Sequence, residues 1–378
     1  MKKYPLFKVH APTGDILKNI KEVLDGGFIN EGEQVTELTK QMSETLEAQN
    51  LILVNSCTSA LTLALHLAGV NTGDDVISTP MTCVATNTPI VTRGANIIWA
   101  DVDPSDGMID PEDVQEKITP NTKAIMAVAW AGTPPELSQL RYISEKNGIP
   151  LILDAAHAFG ANFQGFPIHA WPDFTCYSLQ AIKHVTTGDG GVLVCSKDSD
   201  YKRSKALKWF GLDRDAVKDD KGNWKGQQWD VDILEAGYKF NMNNISAAIG
   251  LAQMPYVNSL LLVHKTNAER YDRTFRGSLT VRRCSRPIGA DGTSWVYTMK
   301  VENSSISRDE LLVKLNAEGI MAGVVHVPNH CYTAFKAFYK DLPGVDEFSS
   351  RQFSLPCGWW LTDEDVEHIA RRVMDLTK

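Results

Sequence analysis

Lys183 is the residue in this chain best placed to do covalent chemistry. It lies in residues 176–192 (CYSLQAIKHVTTGDGGV), after the apolar and aromatic run 174–179 and before the cluster Gly188-Asp189-Gly190-Gly191. A lysine among apolar neighbours loses solvation as a cation, so its pKa falls. The neutral amine that results can attack an aldehyde and form a Schiff base. An exposed surface lysine is the other reading, and this segment alone leaves both open. Asp154 ends the apolar run of residues 151–161 (LILDAAHAFGA). In an open parallel sheet, ligands bind beyond the carboxyl ends of the strands, which directs Asp154 into a crevice. A buried carboxylate needs a partner, and a protonated ring nitrogen supplies one. The alternative is a helix N-cap. In residues 54–61 (VNSCTSAL), Thr58 and Ser59 open a helix after an apolar run. Backbone N–H groups, hydroxyls and the helix dipole favour a phosphate there. Ordinary capping by Ser56 or Thr58 is the alternative.

Together these segments offer an amine for an aldehyde, a carboxylate for a ring nitrogen and a helix end for a phosphate. Pyridoxal 5′-phosphate (PLP) requires all three. Its pyridinium acts as an electron sink only while N1 stays protonated, and an adjacent carboxylate keeps it so.

The elements that must position these residues are legible from the apolar pattern. Runs at 51–55, 76–79, 97–101, 124–130, 151–154 and 191–195 read as buried strands. Helical patterns at 59–68 and 111–118 lie between them. Strand, helix, strand at this spacing predicts an α/β fold with a mostly parallel central sheet flanked by helices. Asp110-Pro111-Glu112-Asp113 reads as a helix start. Ser307 and Glu310 have capping-box spacing, with a stop expected at Gly319. Thr362 and Asp365 imitate the box, ahead of the stripe Val366, Ile369 and Val373. A helical region at 243–257 is followed by expected strands at 279–283, 294–301 and 321–326 of a smaller α+β domain. The boundary is placed between a large domain of residues 1–255 and a small one of residues 256–378. The polar stretch 213–233 reads as a long surface loop, and such loops are often functional.

Composition excludes several classes. The chain has 378 residues, enough for two domains and an unstapled core. Net charge is −8 (38 basic against 46 acidic residues), which disfavours nucleic acid as a partner. The longest apolar run, 124–131, falls short of the ~18 residues of a membrane span. The first fifteen residues lack the apolar stretch of a secretory signal. Seven cysteines without a CxxC pair read as free thiols in a reducing cytoplasm, with neither disulfides nor a metal site.

From residue 29 to residue 366 the sequence resembles the DegT/DnrJ/EryC1/StrS family of sugar-nucleotide aminotransferases, within the fold-type I PLP enzymes. The resemblance runs in order through INEGEQV (29–35), VNSCTSAL (54–61), ADVDP (100–104), DAAHAFGA (154–161), YSLQAIKHVTTGDGG (177–191), WFGLDR (209–214), NNISAAIGLAQM (243–254) and LPCGWWLTDEDV (355–366). It implies a fold-type I architecture with a smaller C-terminal α+β domain, and a homodimer whose active sites are each completed by the other subunit. Lys183 matches the lysine that carries PLP and moves the substrate proton. Asp154 matches the N1 partner, and Ala156 a residue packed on one ring face. His157 falls near the ring hydroxyl. Thr58, Ser59 and Ser178 match phosphate contacts. Residues 237–241 match the loop that reaches the other subunit, with Lys239 and Asn241 standing where relatives commonly have Asn and Arg. Cys83 stands where many relatives stack an aromatic, so another group, such as one of the nine tryptophans, is expected over the ring.

The resemblance also implies the reaction. L-Glutamate would donate its amino group by a ping-pong route through pyridoxamine 5′-phosphate (PMP). The acceptor would be a keto-6-deoxy nucleotide sugar, with C4 taken over C3 on family frequency. His326 and His330, in VVHVPNHCY (324–332), match a region that approaches the sugar nucleotide, although either fits a structural role as well. Arg214 and Lys239 can meet diphosphate charge or stand as solvated cations. Trp130, Trp209 and the 213–233 loop are candidate pocket walls, as well as ordinary core or surface. One branch of the family replaces the lysine with histidine and dehydrates its substrate. Here His184 follows Lys183 and the lysine is retained, which favours transamination over a dehydratase or a non-catalytic regulatory relative.

Overall fold

The short apolar runs are too brief for helices and too apolar for loops, and they form the strands of a central sheet. The computed structural model describes residues 2–213 and 232–378. In chain order the strands are β1 (Leu51–Val54), β2 (Asp75–Ser78), β3 (Asn96–Trp99), β4 (Thr122–Val128), β5 (Leu151–Asp154), β6 (Asn162–Phe163), β7 (Phe166–Pro167), β8 (Phe174–Ser178) and β9 (Gly191–Cys195). Seven of them form one sheet in the order β1-β9-β8-β5-β4-β2-β3. Pairs β2–β3, β2–β4, β4–β5 and β5–β8 are parallel. Only β9 runs against its neighbours, β1 and β8. The connection from β8 to β9 holds the Lys183 turn and no crossover helix, so the chain returns antiparallel.

Both faces of the sheet are covered, as a parallel sheet requires. The period of two divides each strand between two cores. Ile52 and Val54 enter one, with Leu61, Leu65 and Trp99. Leu51 and Leu53 enter the other, with Leu38, Met42 and Tyr177. The predicted helices appear as Cys57–Leu67 and Pro111–Glu116, the latter capped by Asp110 with Pro111 in its first turn.

A third core belongs to a smaller antiparallel sheet. Its strands are β10 (Val281–Arg283), β12 (Tyr297–Val301) and β13 (Gln352–Leu355), in the order β10-β12-β13. Between them in sequence, β11 (Ala290–Asp291) crosses back to pair with β6. Helices Val257–Thr274, Arg308–Ala317 and Asp363–Thr377 complete this unit. Both capping boxes form, at Ser307 with Glu310 and at Thr362 with Asp365. Val366, Ile369 and Val373 are fully buried in this core. The expected strand at 321–326 is absent, and only an isolated bridge joins Gly323 to Ser354. That bridge lies on the outer edge of β13, and pairing goes no further there because the Met321 N–H turns instead to the Tyr4 carbonyl of the opening segment.

The opening segment lies against this third core. Tyr4 bridges Ile320 in parallel, and Lys2 pairs with Asp365 at 2.5 Å. The indoles of Trp360 and Trp359 donate to the carbonyls of Pro5 and Lys8. We propose the division of the chain between residues 255 and 256, with this strap fastened across it. The helical run Asn244–Thr274 is long and apolar enough to cross a membrane by length and composition alone. It instead contains a 3₁₀ turn at Met254–Tyr256 and buries Gln253, His264 and Asn267 with hydrogen-bond partners in the protein.

Gly191 links fold to site, because it pairs with both Val54 and Ser178 at the ends of β1 and β8. A Cβ there would stand 2.5 Å from the carbonyl of Ser56 and 2.6 Å from the nitrogen of Cys57. Both contacts are backbone and cannot swing away. Gly191→Ala is expected to lower stability by about 1–3 kcal/mol in urea denaturation. An unchanged midpoint would show that the helix start is free to shift.

Candidate active site

The parallel topology gathers the candidate residues at one edge of the sheet. Asp154 ends β5, and Ser178 ends the neighbouring β8. The helix Cys57–Leu67 starts just beyond β1, whose last residue Val54 is aligned with Gly191 and Ser178. These carboxyl ends border a cavity of about 410 Å³. Its walls include Thr58, Asp154, Ala156, His157, Ser178, Lys183 and His326, together with Ser56, Cys57, Cys83 and Trp295.

The Lys183 turn is tied from several directions. The Lys183 N–H donates to the Gln180 carbonyl at 3.0 Å, and the Ile182 N–H to Gln180 Oε1 at 3.1 Å. Leu179 closes the loop through bonds with Gly190 and Thr187. Burial lowers the Lys183 pKa from 10.5 to about 8, against the opposing pull of the Asp154 carboxylate. The amine therefore spends a substantial fraction of its time neutral near pH 8.

Asp154 is buried. No helix follows it, so the N-cap alternative is overturned. Its Oδ2 accepts from Thr86 Oγ1 at 2.6 Å, and its Oδ1 from the Ala156 N–H at 3.0 Å. Burial raises its pKa against these two bonds and the Lys183 charge. His157 is buried, and burial holds its pKa well below the usual histidine value. Its Nδ1 has no hydrogen-bond partner. Its ring stacks on Trp295 at 4.0 Å and lies 5.5 Å from His326. His326 is lowered to about 4 by burial and leaves its Nε2 unpartnered.

These features fit PLP. An aldehyde needs the neutral amine of Lys183, and a protonated ring nitrogen would relieve the buried Asp154 carboxylate. The unpartnered His157 Nδ1 suits a ring hydroxyl. Thr58, Ser178 and the N-terminus of an eleven-residue helix suit a phosphate.

Other sequence candidates lie apart from this cavity. Ser59 turns its hydroxyl to Asn55 at 2.6 Å and Ser56 at 2.9 Å, and Ser56 Oγ caps the Ser59 N–H. His330 is buried against Tyr339, at 5.6 Å between rings. Lys239 donates to Asn241 Oδ1 at 2.6 Å and lies 3.8 Å from the Trp209 ring centroid. Trp130 packs edge-on against Phe348. Arg214 and most of the 213–233 loop lie outside the described residues. Sequence reasoning missed Thr86 and did not single out Trp295. Thr86 shares a helix start with Cys83, but nothing local marks it as a carboxylate donor. Trp295 sits in the loop before β12, far from Lys183 in sequence, and only the fold brings them together.

Residues 12–374 match the DegT/DnrJ/EryC1/StrS aminotransferase family. The structure is similar to AtS13 from Actinomadura melliaura, with a TM-score of 0.91 and 35% identity over 99% of each chain. It is also similar to the sugar aminotransferase CalS13 from Micromonospora echinospora, with a TM-score of 0.90 and 32% identity over 98% of this chain and 99% of that one. Spr1654 from Streptococcus pneumoniae, in its PLP form, has a TM-score of 0.89 and 26% identity over 100% of this chain and 99% of its own. A family match spanning nearly all the sequence, on the fold-type I architecture that places Lys183 and Asp154 in one cavity, means that the chain belongs to the DegT/DnrJ/EryC1/StrS aminotransferase family.

Proposed function

We propose that this aminotransferase moves an amino group from L-glutamate to the keto carbon of a nucleotide-linked 6-deoxy sugar, C4 before C3. The observation that carries the reading is the shared cavity of Lys183 and Asp154, one lowered to about 8 and the other buried without a cationic bond. The sugar-aminotransferase identity of CalS13 and the PLP and PMP forms of Spr1654 support it. When bound, PLP would supply the aldehyde that receives the donor's amino group and the ring that draws off electrons from the adjacent carbon.

The residues of this chain would do the rest. Lys183 holds the cofactor covalently and then, as a neutral amine, takes and returns the proton on the carbon that loses or gains nitrogen. Asp154 holds the proton on the ring nitrogen, while Thr86 and the Ala156 N–H fix its two oxygens. Ala156 offers a small wall beside the ring, and His157 a neutral nitrogen for the ring hydroxyl. Thr58, Ser178 and the helix start hold the phosphate. Ser59 acts behind them through the Asn55 and Ser56 bonds. The acceptor approaches past His326, while Arg214 and His330 serve the nucleotide end of the substrate. The enzyme works as a homodimer, with Lys239 turned toward the cofactor phosphate of a second copy.

The direct test incubates PLP-loaded enzyme and L-glutamate with a panel of 3-keto and 4-keto nucleotide sugars. Mass analysis is expected to show conversion of C=O to CH–NH₂ in one of them, with an equal amount of 2-oxoglutarate released. Loss of water from the sugar without 2-oxoglutarate would instead establish a dehydratase.

Lys183→Ala is expected to lower turnover by at least about a thousandfold. Borohydride should attach the coenzyme to Lys183 in the wild type and to nothing in the variant. Attachment at another position, or undiminished turnover, would refute the assignment.

The lowered pKa of Lys183 also sets a pH dependence. Below about 8 the amine is mostly protonated, so the rate at which cofactor-free protein captures PLP should rise about tenfold per pH unit and level off above that value. Absorbance of the captured coenzyme follows it. A rate still rising toward the ordinary lysine range would show that burial does not govern this amine.

A further inference from the structure

We propose that Trp295 is a positioning residue for Lys183, whose indole face receives the free amine whenever the lysine is released from its covalent partner. The proposal rests on the reading of Lys183 as the reacting amine. Three contacts carry it. Lys183 Nζ lies 3.9 Å from the Trp295 ring centroid, well inside the ~6 Å range of a cation–π contact. The Trp295 Nε1–H donates to the Ile182 carbonyl at 2.9 Å, one residue before Lys183. The Trp295 ring also stacks on His157 at 4.0 Å with an interplanar angle of 11°. A single side chain thus touches the amine, the backbone that carries it and the imidazole beside it.

Trp295 is itself held from behind. Phe7, in the opening strap, stacks on it at 4.6 Å. The backbone of Ser294 and Trp295 is seated on Gly132, which has φ +97°. A Cβ at Gly132 would stand 2.8 Å from both backbone nitrogens, so only glycine allows this approach. The Thr293 N–H donates to the Gly132 carbonyl at 2.8 Å, and Ser294 takes a left-handed φ of +51°. A non-glycine residue held there signals a loop fixed by its surroundings.

The chemical consequence follows from the two states of the amine. A lysine that alternates between base and acid must be able to hold a proton as well as lose one. Burial drives the proton off. A ring face returns part of that stabilisation to the ammonium, and does so most strongly where water is excluded. Asp154 faces the amine and acts in the same sense as the ring, while Cys57, kept protonated by burial, and Cys83 line the same walls. His157, His184 and His326 face it as well, each kept neutral by burial. The carboxylate alone would leave the lysine free to swing; the indole gives it one resting place.

Competitive acylation of the full-length chain tests this without turnover. The protein is freed of PLP with hydroxylamine, labelled with trace acetic anhydride across a pH series, and the Lys183 peptide is quantified by mass. The wild-type midpoint is expected near about 8. Trp295→Leu, which keeps the site apolar without a ring, should weaken proton affinity about tenfold and move the midpoint about one pH unit lower. Trp295→Phe should fall between the two. A midpoint unchanged or raised in Trp295→Leu overturns the proposal. Should that variant fail to fold, Trp295→Phe is read alone, and an unmoved or raised midpoint there overturns it equally. Failure of the catalytic reading of Lys183 would appear elsewhere, in the borohydride product, and would not move these midpoints.

Discussion

Water is largely kept from the ends of β5 and β8, and that exclusion governs the site. It pushes Lys183 and Asp154 toward their uncharged forms, one downward and the other upward. Their mutual attraction opposes the push but does not cancel it. A lysine in water would be almost wholly protonated and inert toward an aldehyde, whereas in this cavity the neutral amine is common. The same desolvation leaves Asp154 in need of a cation, which a pyridinium would provide. Removing water therefore makes the nucleophile and creates the demand for the cofactor's ring in a single step.

The sheet makes that exclusion possible. Parallel strands buried on both faces end at one edge, and their ends share a crevice already walled by helices. The antiparallel return of β9 adds the second requirement. It brings Gly191 between β1 and β8, so the helix start at Ser56 and Cys57 comes down almost onto backbone. The helix start and the strand that follows the Lys183 turn meet because no side chain separates them at Gly191. The Lys183 turn is short enough to be fixed by its own hydrogen bonds, which is why the amine can be aimed by a side chain from another part of the chain.

The apolar runs made six strands of the central sheet legible, because those strands are largely buried, whereas five helices of the large unit begin without a side-chain cap and carry no such start signal. Local sequence places Lys183, Asp154 and Thr58 at junctions where parallel sheets bind ligands, and the fold brings the three to one cavity. The small unit was less readable. Residues 321–326 have the apolar character of a strand, but only Gly323 pairs with the edge of β13 while Met321 bonds to Tyr4, and only tertiary competition decides such a contest. An N-cap was the alternative for Asp154, and the turn at 155–160 leaves no helix for such a cap to serve. Thr86 and Trp295 carry no local signature, because their roles are defined by distance across the fold. Ser59 and Thr58 share one helix turn, yet Thr58 lines the cavity while the Ser59 hydroxyl is turned to Asn55 and Ser56.

The charge inventory of the cavity bears on how the proposed substrates are held. Among the described residues along its walls, Lys183 is the one lysine and there is no arginine. His157 and His326 are neutral through burial and cannot stand in for either. A phosphate group would therefore meet dipoles and hydroxyls here, from the helix start, Thr58 and Ser178, with Asp189 on the same walls and no full positive charge beyond an amine committed to chemistry. Such groups bind a phosphate ester in a fixed place without adding a cation that would draw protons from Asp154 or repel the ammonium of Lys183. A guanidinium close to Lys183 would drive its pKa down further and leave it too weak a base to hold the proton it must carry under the proposed function.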